Sequence, residues 1–285
     1  MYPLGKQFEV DISKGISDEK SIIQGAKYRI TVLSESLIRL EYNATGTFVD
    51  APSQLVSNRR FPLCSMQVNQ DTKLLEITTA YFKLTYTKEM PFLGTKLDPM
   101  KYLKITLLSG QPDEERSWYY QHPEVRNMNG NMISDDIKTP KNLQKGLYSL
   151  EGFVSLDDSN SLLFASDGTL YPRPKDGIDL YVFMYKKDFS QALQDYFRLT
   201  GKPDLLPRYA FGNWWSRNTT YTHDSLLELV NHFERRNVPL SVVLLDKDWH
   251  YRDVGSYRSL ETGFTFNNTL FPQPTETVAA LHDHN

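Results

Sequence analysis

The chain has 285 residues and a net charge of −3, from 32 Lys and Arg side chains against 35 Asp and Glu. This length suits roughly two domains, and the slightly acidic balance lacks the basic footprint of a nucleic-acid-binding protein. A single cysteine, Cys64, excludes a disulfide framework, and the sequence shows no zinc-type Cys/His spacing and no run as long as a membrane span. We also expect no secretory signal.

These absences lead to expectations about partners and location. We expect no metal, no cofactor, no nucleic acid and no membrane as partners, and a cytoplasmic location. The sequence leaves open whether the chain forms a homo-oligomer. The charged pairs Arg59 with Arg60 and Arg235 with Arg236 are interpreted as surface groups rather than a binding patch, because charged side chains are mostly exposed.

The amino-terminal part carries many short runs of β-prone residues. Residues 25–43 and 74–86 each alternate in this way, and residues 104–108 and 161–164 add shorter runs. Turn residues such as those at 43–46 separate the runs. Many short strands with regular turns predict an antiparallel β-sandwich.

A strand and a helix follow the sandwich segment. Residues 179–185 are mostly apolar and predict a last strand. Residues 189–200 predict a helix that Gly201 and Pro203 terminate.

The carboxyl-terminal part predicts a strand, a helix and a second strand. Residues 208–217 are aromatic and apolar, and residues 222–236 place apolar side chains at helical spacing after a capping Thr222. Residues 240–245 form an apolar run that predicts a strand buried on both faces, as in a parallel sheet. A second helix is expected to begin near Pro274.

Polar and aromatic residues follow that apolar run at once: Asp246, Lys247, Asp248, Trp249 and His250. In a barrel of parallel strands the active site lies at the carboxyl ends of the strands. This segment therefore indicates a ligand site, and the alternative is a solvated turn after a core strand.

The sequence of residues 208–285 resembles the opening of the catalytic barrel of glycoside hydrolase family 31, the α-glucosidases and α-xylosidases. Three stretches carry the resemblance: PRYAFGNWWSR at 207–217, VPLSVVLLDKDWH at 238–250 and GFTFNNTLFPQP at 263–274. The amino-terminal part agrees more weakly before residue 146. The resemblance therefore covers an amino-terminal portion of such an enzyme.

The resemblance implies a galactose-mutarotase-like β-sandwich followed by the first part of a truncated (β/α)8 TIM barrel. We expect the sandwich over residues 1–187, a linker helix over 188–207, and the first two βα units of an incomplete barrel over 208–285. Two strands cannot close an eight-stranded barrel.

The family hydrolyses α-linked sugars with retention, using two carboxylates about 5–5.5 Å apart. In the family both are aspartates on later barrel strands, and the W-x-D-x-x-E type motif of the nucleophile is absent from this sequence. We therefore expect no catalytic residue in this chain and no activity from it alone. Asp246 and Asp248 do not suit the catalytic pair, because residues i and i+2 of a strand point the same way, roughly 7 Å apart.

By resemblance, Asp246 binds sugar hydroxyls, and Asp248 and Trp249 shape the same subsite. Glu151, in the GLYSLEG stretch at 146–152, stands where relatives carry an aspartate that reaches the substrate; the alternative is a surface acid. Arg217 either touches substrate or ties strand ends together.

The sequence thus predicts an amino-terminal fragment of a retaining α-glycosidase acting on terminal α-linked glucosyl or xylosyl residues of an oligosaccharide or α-glycoside. The remaining barrel would come from the same gene or from a second polypeptide, as in a split enzyme. The alternative is a non-catalytic carbohydrate-binding or scaffold module.

Overall fold

The computed structural model describes residues 4–108, 116–130, 143–253, 255–256 and 263–284. The chain divides into two compact units, the first ending at Pro203 and the second beginning at Asp204. None of the helices in these ranges is both long and apolar enough to cross a membrane.

Two five-stranded antiparallel sheets form the first unit. The first sheet contains β1 (Ile22–Gln24), β2 (Tyr28–Ser34), β3 (Leu37–Tyr42), β9 (Phe153–Asp157) and β12 (Ile178–Met184), in the order β1-β2-β3-β12-β9. The second sheet contains β4 (Gln67–Gln70), β5 (Leu74–Thr78), β6 (Phe82–Thr87), β7 (Leu103–Leu107) and β8 (Arg116–Trp118), in sequence order. A short ribbon pairs β10 (Leu163–Phe164) with β11 (Leu170–Tyr171).

One apolar cluster joins the two sheets. Ile30, Leu40 and Val182 of the first sheet belong to the same cluster as Leu84 and Ile105 of the second. Strands of the second sheet alternate between buried and partly exposed residues, so its other face meets solvent. This packing of antiparallel sheets agrees with the strand pattern of the sequence.

The first sheet is buried on its other face as well. There α1 (Phe189–Thr200) packs its Ala192 and Leu199 against Tyr181 and Phe183 of β12. Asp188 caps the start of this helix and Gly201 follows its end at a φ of 98°. The helix occupies the residues that the sequence indicated and belongs to the first unit.

At the opposite end of that outer face lies a network of buried ion pairs. The guanidinium of Arg39 donates two hydrogen bonds of 2.8 Å to the carboxylate of Asp179, in bidentate geometry. Arg29 pairs in the same way with Glu41, at 2.6 and 2.9 Å. Both arginines also donate to the carbonyl of Val49, which fixes the loop after β3.

One charged residue of this network corrects the sequence analysis. Arg59 was expected at the surface, yet its side chain and that of the nearby Asp158 are fully buried. Arg59 donates to the hydroxyl of Tyr181 at 2.6 Å, and Asp158 accepts from Ser53 and Arg173. Partners distant in the sequence offset part of the cost of burying these charges, and neighbouring residues in the sequence do not reveal them.

The second unit contains a parallel pair of strands and two helices. Its elements are β13 (Trp214–Thr220), α2 (His223–Arg235), β14 (Val242–Lys247) and α3 (Pro274–His282). The two strands pair in parallel, with Trp214 opposite Val242. Thr222 caps α2, accepting a hydrogen bond from the amide of Ser225. The sequence prediction of both helices is confirmed.

The two strands differ from expectation in place and burial. β13 begins only at Trp214, because Arg208–Phe211 forms a 3₁₀ turn. β14 lies two residues later than the expected 240–245 and is not buried on both faces, since Leu244 is 41% exposed. Within the described residues, helix α2 packs against only one face of this two-stranded sheet.

We predict that Asp179→Asn lowers the free energy of unfolding by about 3–5 kcal/mol, because it leaves buried guanidinium groups without their counter-charge. The matched control is Glu76→Gln, which removes a partly exposed partner of the exposed Lys83 and should cost at most about 1 kcal/mol. Urea unfolding followed by circular dichroism measures both. Equal losses would contradict the structural role of the network.

The same network sets a pH dependence of stability. Burial opposes ionisation of Asp179, but the charge and hydrogen bonds of Arg39, together with the charges of Arg59 and Arg173, hold the pKa of Asp179 below its ordinary value. The stability from this ionised group is present above the unfolded pKa of an aspartate and is lost as the pH falls through the lower folded pKa. Burial raises the pKa of Asp158, so protonation of that group favours the folded state.

We predict that limited proteolysis with thermolysin cuts before Leu205, which is 99% exposed and lies beside the unit boundary. The amino-terminal fragment should then outlast the carboxyl-terminal one, because a two-stranded sheet is marginally stable and two five-stranded sheets are not. Gel electrophoresis with mass spectrometry identifies the fragments. Earlier loss of the amino-terminal fragment would contradict the prediction.

Candidate functional site

The two faces of β14 have different surroundings. Val243 and Leu245 pack into an apolar cluster with Leu226 of α2 and Phe271. Because side chains alternate along a strand, Val242, Leu244 and Asp246 project from the opposite face. Within the described part of the second unit, no helix covers that face. A ligand or another element of the protein can therefore reach it.

Asp246 lies on this open face at the carboxyl end of the strand. It was expected just after the strand but is its fifth residue, opposite the irregular part of the β13 register. Its side chain is exposed, and among the described residues no group donates a hydrogen bond to its carboxylate. Asp246 thus presents a free, charged hydrogen-bond acceptor.

Asp248 is already engaged and does not continue the strand. Its φ of 58° places it in the left-handed region, which an aspartate tolerates better than most residues. Its carboxylate accepts a hydrogen bond of 2.5 Å from the hydroxyl of Thr220. The expected geometry of two carboxylates on one side of a strand therefore does not apply, and Asp248 ties the ends of β13 and β14 together.

Trp249 lies in an aromatic cluster after the strand. Its ring centroid is 5.2 Å from that of Phe266 and 4.9 Å from that of His250, both in edge-to-face geometry. His250 is buried, with its Nδ1 3.2 Å from the carbonyl of Tyr251. Trp249 is half-buried, so part of its ring packs in this cluster and the rest is exposed.

Arg217 does not lie on the same face of the sheet as Asp246. It pairs with Leu245 in the register of β13 and β14, which places it on the side of the sheet that α2 covers. Its side chain is exposed.

Glu151 belongs to the first unit and is not a free acid. Its Oε2 lies 3.3 Å from Nε2 of His122, and its side chain is only 14% exposed. The ring of His122 contacts Tyr119 and Phe153 edge to face. Glu151 is therefore not a plain surface acid, because it is largely buried beside the partly buried imidazole of His122.

The structure adds residues that sequence reasoning did not single out. Trp214 and Ser216 lie on the open face, paired with Val242 and Leu244 in the register. Phe264 is 84% exposed, with its ring centroid 6.2 Å from that of Trp249. The alternation of side chains along β13 places Trp214 and Ser216 on the same face. It identifies that face as the open one only when the face covered by α2 is known.

Within the described residues, no group of three or more His, Cys, Asp or Glu side chains is placed to hold a metal ion.

Comparisons with known proteins agree with this arrangement. Residues 203–285 match the family model of the TIM-barrel domain of glycosyl hydrolases family 31. The chain is 33% identical over 105 residues to an α-xylosidase of Saccharolobus solfataricus, a match covering 37% of this chain and 13% of that protein. It is 34% identical over 170 residues to an α-glucosidase of the same organism, covering 54% of this chain and 23% of that protein.

Among solved structures, the fold resembles a family 31 dextranase from Flavobacterium johnsoniae complexed with glucose. The TM-score is 0.55 at 17% identity, and the match covers 90% of this chain and 35% of that one. The chain thus spans well under two thirds of the length of these relatives. The barrel-domain match and the two curated relatives lead to one conclusion: residues 203–285 belong to the TIM-barrel domain of glycosyl hydrolases family 31, and the chain resembles an amino-terminal portion of such an enzyme.

Proposed function

We propose that this chain supplies a β-sandwich and the first two βα units of a (β/α)8 barrel in a retaining α-glycosidase. The substrate is an oligosaccharide or α-glycoside with a terminal α-linked glucosyl or xylosyl residue. The observation that carries the proposal is the free carboxylate of Asp246 at the carboxyl end of β14, on the face that α2 does not cover.

The role of Asp246 follows from its chemistry. An ionised carboxylate accepts hydrogen bonds from sugar hydroxyls, and such charge-assisted bonds are about twice as strong as neutral ones. Hydroxyl contacts that tighten as the ring distorts towards the oxocarbenium-like transition state would lower the barrier. Asp246 would thus bind the sugar and orient its ring, without attacking the anomeric carbon or transferring a proton.

Asp246 and Asp248 do not fit the pair of catalytic carboxylates. The carboxylate of Asp248 is held by Thr220, and a retaining mechanism needs two carboxyl groups about 5–5.5 Å apart on either side of the scissile bond. No W-x-D-x-x-E motif occurs in the sequence. We infer that the nucleophile and the acid/base come from further barrel strands, in the same polypeptide or in a second one.

We predict that the purified 285-residue chain has no α-glycosidase activity, because its sequence lacks the nucleophile motif. Assays with p-nitrophenyl α-glucoside and α-xyloside measure this. Turnover that copurifies with the chain through several columns would overturn the assignment of roles.

A further prediction concerns the substitution Asp246→Asn in the enzyme completed by the remaining barrel strands. This substitution keeps the shape of the side chain but removes the charge of the hydrogen-bond acceptor. It should lower kcat/KM by an amount equivalent to about 2–4 kcal/mol. Steady-state kinetics measures the loss.

The matched control is Glu228→Gln, an exposed acid on α2, which should leave kcat/KM unchanged. Azide distinguishes binding from chemistry, because a small anion rescues a lost catalytic carboxylate. Azide should not restore the activity of the Asp246→Asn enzyme. Restored turnover with formation of a glycosyl azide would place Asp246 in the catalytic pair.

A further inference from the structure

The parallel ladder of β13 and β14 is interrupted beside Asp246. Arg217 pairs with Leu245, and the next pair joins Thr220 to Lys247. Between these two pairs β13 advances from residue 217 to 220 while β14 advances only from 245 to 247, so β13 carries an extra residue in the manner of a β-bulge. Asp246 lies between the two pairs and has no partner residue in the register. Regular pairing therefore does not orient its side chain.

The hydroxyl of Thr220 closes this bulge. It donates a hydrogen bond of 2.5 Å to Oδ2 of Asp248, two residues beyond Asp246. On the other side of Asp246, Leu245 packs into the apolar cluster beneath α2. Asp246 is thus held between two fixed points, the packed side chain of Leu245 and the carboxylate of Asp248 on the Thr220 hydroxyl.

The turn after β14 has a second support, which acts further along the chain. Asn267 donates its amide hydrogen to the carbonyl of Trp249 at 2.8 Å. Its side-chain amide reaches the carbonyl of Asp248 over 3.4 Å, which is long for a hydrogen bond. The short bond from Thr220 is therefore the strong connection between Asp248 and β13 in the described part of the second unit.

The hydroxyl of Thr220 is not available as a donor to a substrate. A hydroxyl group has a single hydrogen to donate, and the carboxylate of Asp248 accepts it. Any effect of this donor on a substrate must therefore pass through the chain that Thr220 holds. The nearest free polar group on that chain is the carboxylate of Asp246, on the open face at the end of β14.

We propose that Thr220 is a positioning residue for Asp246. Its bond to Asp248 fixes the chain after the bulge and thereby the direction in which the Asp246 carboxylate projects from β14. This inference rests on the proposed role of Asp246 as a sugar-binding carboxylate. Without the hydroxyl, the pairing beyond the bulge loosens and Asp246 spends less time in the orientation that meets the sugar, and misplacement of a group that binds the substrate slows the reaction.

The test uses the enzyme completed by the remaining barrel strands. Thr220→Val removes the hydroxyl and keeps the branched shape, so we expect kcat/KM to fall about three- to tenfold, as for the loss of one hydrogen bond. Thr220→Ser keeps the hydroxyl and should retain the kcat/KM of the parent enzyme. The matched control is Thr275→Val, on an exposed threonine of α3, which should leave kcat/KM unchanged.

A double-mutant cycle tests whether Thr220 acts through Asp246. Two residues that act through one another have non-additive effects. In the Asp246→Asn enzyme, Thr220→Val should therefore change kcat/KM by less than about twofold. Hydrogen exchange of the amides of residues 246–249 gives a readout that is independent of activity. Thr220→Val should accelerate this exchange, and Thr220→Ser should not.

The outcomes separate this proposal from the proposed function. If Asp246→Asn keeps the kcat/KM of the parent, the sugar-binding role of Asp246 is wrong and the positioning role of Thr220 is overturned with it. If Asp246→Asn lowers kcat/KM but Thr220→Val does not, or if the two losses are fully additive, only the positioning role is overturned. An equal loss in Thr220→Ser, or unchanged exchange in Thr220→Val, would also overturn it.

Discussion

The alternation of side chains along β14 determines what the second unit can do. Val243 and Leu245 are held against α2 and Phe271, so the residues between them must face away. That leaves Leu244 half-exposed and Asp246 free at the carboxyl end of the strand. The packing of Val243 and Leu245 on one face of β14 therefore places the carboxylate of Asp246 on the other face.

The first unit is organised by a different constraint, because both faces of its first sheet are buried. The inner face and part of the outer face are apolar, but the outer face near β9 holds paired charges. Asp158 follows β9 directly and is held by Ser53 and Arg173. These contacts anchor the end of the edge strand β9.

Local sequence patterns predicted the helices and strands well, but they predicted poorly which residues are buried. The capping Thr222, the apolar spacing of α2 and the proline at the start of α3 are local signals, and both helices formed where expected. Arg59 and Asp158 are buried because of partners far away in the chain, which adjacent residues do not reveal. Asp248 has a left-handed φ and its carboxylate is held by Thr220 of another strand, so the expectation that Asp246 and Asp248 point to the same side of one strand was wrong.

The most direct test of the account is a crystal structure of the complete enzyme with a monosaccharide bound in its active site. We expect a carboxylate oxygen of Asp246 within about 2.5–3.0 Å of a sugar hydroxyl oxygen, with Val243 and Leu245 still facing α2. A sugar bound on the α2 side of the sheet, or out of reach of Asp246, would contradict the assignment of the open face as the substrate side.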